Sequence, residues 1–226
     1  MFGSIYLTVI AVGLLVSLIY WGYHRNIGHP AHRIILGILA LVLVLETIGL
    51  LTARQRINNA MVYNIGFVYL ESFLLIAYFF SLEKSILFRK IIVLVTLLIV
   101  TWGMVNSVQI QPMQSVFQYF TFLPFGLLIL FLAGRLLSQI LNLRIFQDWD
   151  LLLLPHFWIA TIVIFFYLEA LLLFGANQFD PQFVSNNLRI LFGFNKFLAG
   201  FMYFVFGFAF FIPLIYGKFL SNRDSH

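Results

Sequence analysis

The chain has 226 residues, of which 62% are hydrophobic and 9% charged, and its mean hydropathy is +1.01. Those values exclude a soluble globular domain and describe an integral membrane protein. The absence of cysteine excludes a disulfide framework, thiolate metal sites, iron–sulfur clusters and a cysteine nucleophile, and leaves the redox compartment unread. The formal charge of +5 comes from 13 Lys and Arg that sit between apolar runs, not on one basic face, so nucleic acid is excluded as a partner and a lipid bilayer is expected.

A spanning helix needs about 20 mostly apolar residues, and seven runs meet that need: roughly 3–23, 33–53, 61–82, 86–106, 116–138, 150–174 and 188–217. The runs are too long, and too apolar on every side, for barrel strands, which are about 10 residues and alternate with polar positions. They predict an all-α polytopic bundle. The first run lacks a basic start and a small-residue cleavage site, so it reads as a retained helix. With no repeat and no long linker, residues 1–226 form one domain.

Nine basic residues fall in the odd loops and the C-terminus, namely Arg25, Arg33, Lys84, Arg89, Lys90, Arg135, Arg144, Lys218 and Arg223, against three in the even loops, Arg54, Arg56 and Arg189. The positive-inside rule then expects the N-terminus outside, the C-terminus in the cytoplasm and the chain in the cell inner membrane. Trp21, Trp149 and Tyr216 lie near run ends, where interfacial aromatics belong.

Four ionisable side chains fall inside the apolar runs: Glu46, Glu71, Glu169 and Lys196. Charges in hydrocarbon are costly and mark function by default. From the predicted outer helix ends, their depths are about 10, 15, 8 and 10 Å, which places all of them in the outer half or midplane. On helix seven, Arg189, Lys196 and Tyr203 recur every seven residues, as do Gly193, Gly200 and Gly207, and this face is expected to point inward. Helix three repeats the theme with Asn64, Glu71 and Tyr78, and helix six sets Trp158, Ile162, Phe165 and Glu169 on one side. The expected cluster is Glu46, Asn64, Glu71, Glu169, Lys196 and Tyr203. It suits an ion-pair network centred on Lys196, a small-ligand pocket, or proton and ion translocation. Paired broken helices and inverted symmetry, the marks of many transporters, are missing.

His24, His29 and His32 share the first odd loop, and His156 begins helix six on the same side, close to Asp148 and Asp150. They are the weak metal candidates, because their spacing lacks helical i, i+4 geometry and nothing matches H-E-x-x-H. Haem is excluded, since only His156 approaches the hydrocarbon. No G-x-S-x-G, G-x-G-x-x-G or Walker A segment occurs. Pro124 and Pro213 are expected to kink helices five and seven.

Three families supply resemblances. Seven helices with Lys196 in the last and Glu71 in the third resemble microbial rhodopsins, which implies retinal on Lys196 and Glu71 as counterion; Phe192 replaces the carboxylate that the family carries four residues before the lysine. Ser81-Leu82-Glu83-Lys84 and Pro213-Leu214-Ile215-Tyr216 resemble helix ends of class A G-protein-coupled receptors, although Ile212 replaces the Asn before the proline. Asn58-Asn59-Ala60-Met61-Val62-Tyr63-Asn64, Pro155-His156-Phe157-Trp158-Ile159 and Asn195-Lys196 are similar to uncharacterised seven-helix membrane proteins of Bacteroidota, which implies the same seven-helix fold.

The sequence leads to a sensory or regulatory module that takes a small ligand from the outer side and signals through a cytoplasmic or membrane protein partner. Only eight residues follow Lys218, so output is expected from another chain. The alternatives are a lipid-modifying enzyme using Glu71 or Glu169 as acid or base, and a structural subunit of a membrane complex.

Overall fold

The computed structural model describes residues 2–23, 30–142 and 151–215. His24, Arg25, His29, Arg144, Asp148, Trp149, Asp150, Tyr216, Lys218 and Arg223 lie outside the described residues. Within them there is no strand, and seven helices are long and apolar enough to cross a membrane. They are α1 (Phe2–Tyr23), α2 (Pro30–Arg54), α3 (Ala60–Leu82), α4 (Ile86–Gln109), α5 (Tyr119–Leu141), α6 (Pro155–Phe179) and α7 (Leu188–Ile215). The chain is a multi-pass membrane protein built as a helical bundle.

Local chemistry moves several ends from their expected places. Leu151–Leu153 form a separate 3₁₀ turn, and α6 starts only at Pro155, whose fixed φ and missing N–H suit a first helical position. At its far end α6 continues to Phe179, after which Asp180 caps the short turn Pro181–Asn186 by accepting from Phe183 N–H at 3.0 Å. Glu169 therefore lies about 15 Å from the end of α6, near the middle of the helix, and not at the shallower depth expected. α2 closes with Arg56 in the left-handed region at φ 57°, while Ile57 N–H reaches back to Thr52 carbonyl at 2.9 Å. Asn58 then accepts from Ala60 N–H at 2.8 Å and starts α3.

α3 is not uniform. An α turn, Ala60–Tyr63, passes into a π-helical stretch, Asn64–Glu71, before α geometry resumes at Ser72–Leu82. The wider π turn re-aims side chains without breaking the backbone ladder, and such stretches recur at functional sites. Pro124 stays inside α5 with its expected orphan repaired: the carbonyl of Phe120, four residues before, accepts instead from Trp102 Nε1 at 2.8 Å. α7 tightens into a 3₁₀ turn at Ala209–Phe211, just before Pro213.

Six helices close a ring. α1 packs on α2 and α7, α2 on α3 and α7, α3 on α5, α5 on α6, and α6 on α7. α4 stands outside this ring against α5, burying only the stripe Ile92, Ile99, Gly103 and Asn106 and leaving Leu94, Leu97, Leu98 and Met104 exposed to lipid. α1 and α7 meet most closely where Gly207 faces Gly13: a Cβ on Gly207 would lie 2.5 Å from Gly13 Cα and carbonyl oxygen. Only glycine allows that approach. Toward the end that carries residues 55–59, 110–118 and 180–187 the packing loosens, because Gly193 has nothing within 4 Å of an added Cβ and Arg189, Gly193 and Lys196 are exposed. The inward face expected of α7 thus holds at Gly200, Tyr203 and Gly207 but not farther out.

The opposite loop end is tied by one ion pair. Arg135 Nε donates to Glu83 at 2.7 Å, Ser85 N–H donates to the same carboxylate at 2.9 Å, and Arg89 Nε donates to the Glu83 carbonyl at 2.7 Å. The Arg135 guanidinium also lies 3.8 Å over the Phe88 ring. Burial alone would raise the Glu83 carboxyl, but the donors from Arg135 and Ser85 outweigh it and hold the group below the ordinary glutamate value.

Two outcomes follow from this packing. Gly207→Ala should lower the stability of the detergent-solubilised protein by roughly 1–3 kcal/mol, because backbone cannot give way as a flexible side chain can, whereas Gly193→Ala should be neutral within about 0.5 kcal/mol. Thermal unfolding of the two variants side by side checks the contrast. Because the Glu83 carboxyl is held low in the folded state, its contribution is complete above the ordinary glutamate value and is lost as pH falls through its folded value. Glu83→Gln should therefore flatten the acid limb of the melting temperature against pH, and an unchanged limb would reject this assignment.

Candidate functional site

At the loosened end the ring encloses a cavity of about 460 Å³ between α1, α2, α3, α6 and α7. Its polar lining includes Glu46, Asn59, Tyr63, Asn195 and Lys196. The opposing wall is aromatic, with Phe67, Phe117, Phe174 and Phe192; Phe117 and Phe174 stack with centroids 4.3 Å apart and planes 21° apart. A deeper chamber of about 80 Å³ shares Glu46, Tyr63 and Asn195 with this cavity and reaches Glu71 and Tyr203. The volume and the mixed lining match those of small-molecule sites.

Four of the six expected site residues, Glu46, Glu71, Lys196 and Tyr203, line these two chambers and Glu169 joins them only through Asn195, and their pairing differs from an ion-pair network. Glu46 accepts from the hydroxyls of Tyr63 at 3.3 Å and Tyr6 at 3.5 Å, one to each carboxylate oxygen. Glu71, 1% exposed, accepts from Tyr203 hydroxyl at 2.9 Å. Glu169 accepts from Asn195 Nδ2 at 2.6 Å. Lys196 faces Glu46 across the cavity, yet the one ion pair within 4.0 Å among the described residues is Arg135 with Glu83. Tyrosine and asparagine donors thus hold the carboxylates, and the Lys196 charge is left facing open space. The rhodopsin-like pairing of Glu71 with Lys196 is replaced by Glu71 with Tyr203.

Asn64 belongs elsewhere. Its Nδ2 donates to the carbonyls of Met113 at 2.8 Å and Val116 at 2.7 Å, and its Oδ1 accepts from Gln118 N–H at 3.0 Å. Around it, Gln118 donates to Ser107 and Gln111, Gln111 donates to Gln178, and Asn106 donates to Thr121. This network folds residues 110–118 back over the bundle and satisfies backbone groups that would otherwise be stranded. Sequence reasoning missed it. Its signal was the succession Asn106, Gln109, Gln111, Gln114 and Gln118 between two apolar runs.

The remaining expectations separate. On α6, Ile162 is buried, whereas Trp158 and Phe165 turn outward. His156 shares a 2.7 Å hydrogen bond with Tyr78, and His32 a 3.0 Å bond with Ser17. Both rings lie against Phe210, at 4.7 Å for His32 and 5.9 Å for His156. Among the described residues no group of three His, Asp or Glu could hold a metal ion.

No protein-family model, no curated protein and no solved structure matches the chain. The Glu71–Tyr203 bond is directly testable. Tyr203→Phe should cost roughly 0.5–2 kcal/mol in thermal unfolding, and the same change in a Glu71→Met background should cost distinctly less. Equal costs in both backgrounds would mean that the hydroxyl does not act through Glu71.

Proposed function

We propose that this protein is a ligand-binding regulatory module of the cell inner membrane, with the cavity open to the outer side and its output delivered to a separate protein partner. The observation that carries this reading is the cavity itself: an aromatic wall faces a lysine with no carboxylate within 4.0 Å among the described residues, across from a glutamate held by two tyrosines. A bundle serving only as scaffold gains nothing from leaving such groups around open volume, since charges in hydrocarbon are costly. The outward placement rests on the distribution of Lys and Arg among the loops.

Regulation, in this reading, uses α3. One helix carries the cavity-floor Glu71, then Tyr78 bonded to His156, and ends at Glu83 bonded to Arg135 at the far loop end. A ligand that competes for Tyr203 or Glu71 acts on the α3–α7 cross-link, and its differential affinity for the two arrangements sets the size of the response.

Native mass spectrometry of gently extracted protein tests the reading. A small molecule should copurify in fixed ratio and be lost in Glu46→Gln, and adding it back at about 100 times its Kd should stabilise the wild type by roughly 2.7 kcal/mol. A clean apo mass, with Glu46→Gln as stable as the wild type, would count against a ligand site.

A further inference from the structure

A second cavity, of about 420 Å³, runs along the lipid-facing seam between α1 and α7. Val9, Phe197, Phe201 and Phe204 wall it, Gly193 opens it, and Tyr6 and Lys196 belong to both this groove and the main cavity. Phe197 and Phe201 are 67% and 49% exposed, so the groove is open to the membrane along its length. Its shape follows from the glycine crossing: the two helices touch at Gly13 and Gly207 and part toward Lys196.

We propose that this groove binds one long-chain fatty-acid anion, admitted sideways from the bilayer, with its chain along Val9, Phe197, Phe201 and Phe204 and its carboxylate on Lys196. The inference goes beyond the ligand-site reading above: it concerns a second site, which shares Tyr6 and Lys196 with the main cavity. Three features select this occupant. The walls are apolar and aromatic over about 12 Å from Lys196 to Phe204, which suits an alkyl chain. The seam is bounded by two helices and narrows to backbone contact, which favours one chain over the two of a phospholipid. A single cation stands at the junction, with no ion pair within 4.0 Å among the described residues, and it matches a single carboxylate. Glu46 faces Lys196 across the main cavity but not within 4.0 Å, and its oxygens accept from Tyr6 and Tyr63.

The test uses the full chain in phosphatidylcholine nanodiscs carrying palmitate, read by native mass spectrometry. One palmitate should be retained per protein, with affinity at least about tenfold weaker in Lys196→Met and recovered in Lys196→Arg. Gly193→Leu should weaken retention similarly by filling the groove, and it should fold because an added Cβ there meets nothing within 4 Å. Equal palmitate retention by the wild type and both weakened variants, or phosphatidylcholine retained in its place, would overturn the proposal. If palmitate fails to bind while a copurifying molecule is still lost in Glu46→Gln, the fatty-acid assignment falls and the ligand-site reading stands. If neither species is found, both fall.

Discussion

A polar side chain inside a bilayer must find its partner within the protein, and in this bundle α3 meets that demand by reaching a different element at each step. Asn64 holds the loop of residues 110–118, Glu71 takes Tyr203 of α7, Tyr78 takes His156 of α6, and Glu83, just past its end, takes Arg135 of α5. Each bond is modest in energy, since polar contacts between membrane helices average well under about 2 kcal/mol. Their effect is positional: slippage or rotation of α3 would orphan several buried groups at once, and that combined cost fixes its depth and azimuth. α3 thereby takes a fixed place as one member of the ring of six helices.

The cavity is a consequence of how the ring closes. Gly13 and Gly207 bring α1 and α7 to backbone contact, and a pair of straight helices pinned at one point must separate away from it. The π-helical stretch of α3 lies at the same level as the widening and carries Glu71 at its inner end. The space that results is bordered by side chains too long and too polar to fill it: Glu46 and its tyrosines on one side, Lys196 on another. α4 takes no part in the enclosure, and its lipid-exposed surface matches its single buried stripe.

Much of this architecture was legible in the sequence because bilayer thickness imposes a length, and apolar runs of that length are hard to mistake. All seven helices were found, as were Glu46, Glu71, Lys196 and Tyr203, which line the site. Helix ends were less legible where hydrophobicity continues past the true terminus. Leu151–Leu154 are as apolar as α6 itself, so hydropathy cannot show that the helix waits for Pro155. The misplaced depth of Glu169 followed from the other end, where α6 runs on to Phe179. The π-helical stretch left no signal, because it depends on packing and not on composition. Partner choice was the deepest failure: opposite formal charges suggested Lys196 with a glutamate, whereas tyrosine hydroxyls on α1, α3 and α7 reach the carboxylates first. Periodicity can place a residue on a face, but which donor arrives there depends on helix azimuths that only the assembled ring defines.

In the proposed reading, this choice of donors has a functional consequence. A lysine–glutamate pair at the cavity floor would be a strong, charge-neutral lock, and breaking it would leave an uncompensated charge in a site of low dielectric. A tyrosine–carboxylate bond is weaker, and an entering donor can replace the tyrosine without stranding the carboxylate. A hydrogen bond of this kind, worth roughly 1–2 kcal/mol, is comparable to the coupling free energies of ordinary allosteric proteins. In the proposed reading, the site is built to be switched because Glu46 and Glu71 are satisfied by hydroxyls, and Lys196, with no ion pair within 4.0 Å among the described residues, supplies the attraction that brings the ligand in.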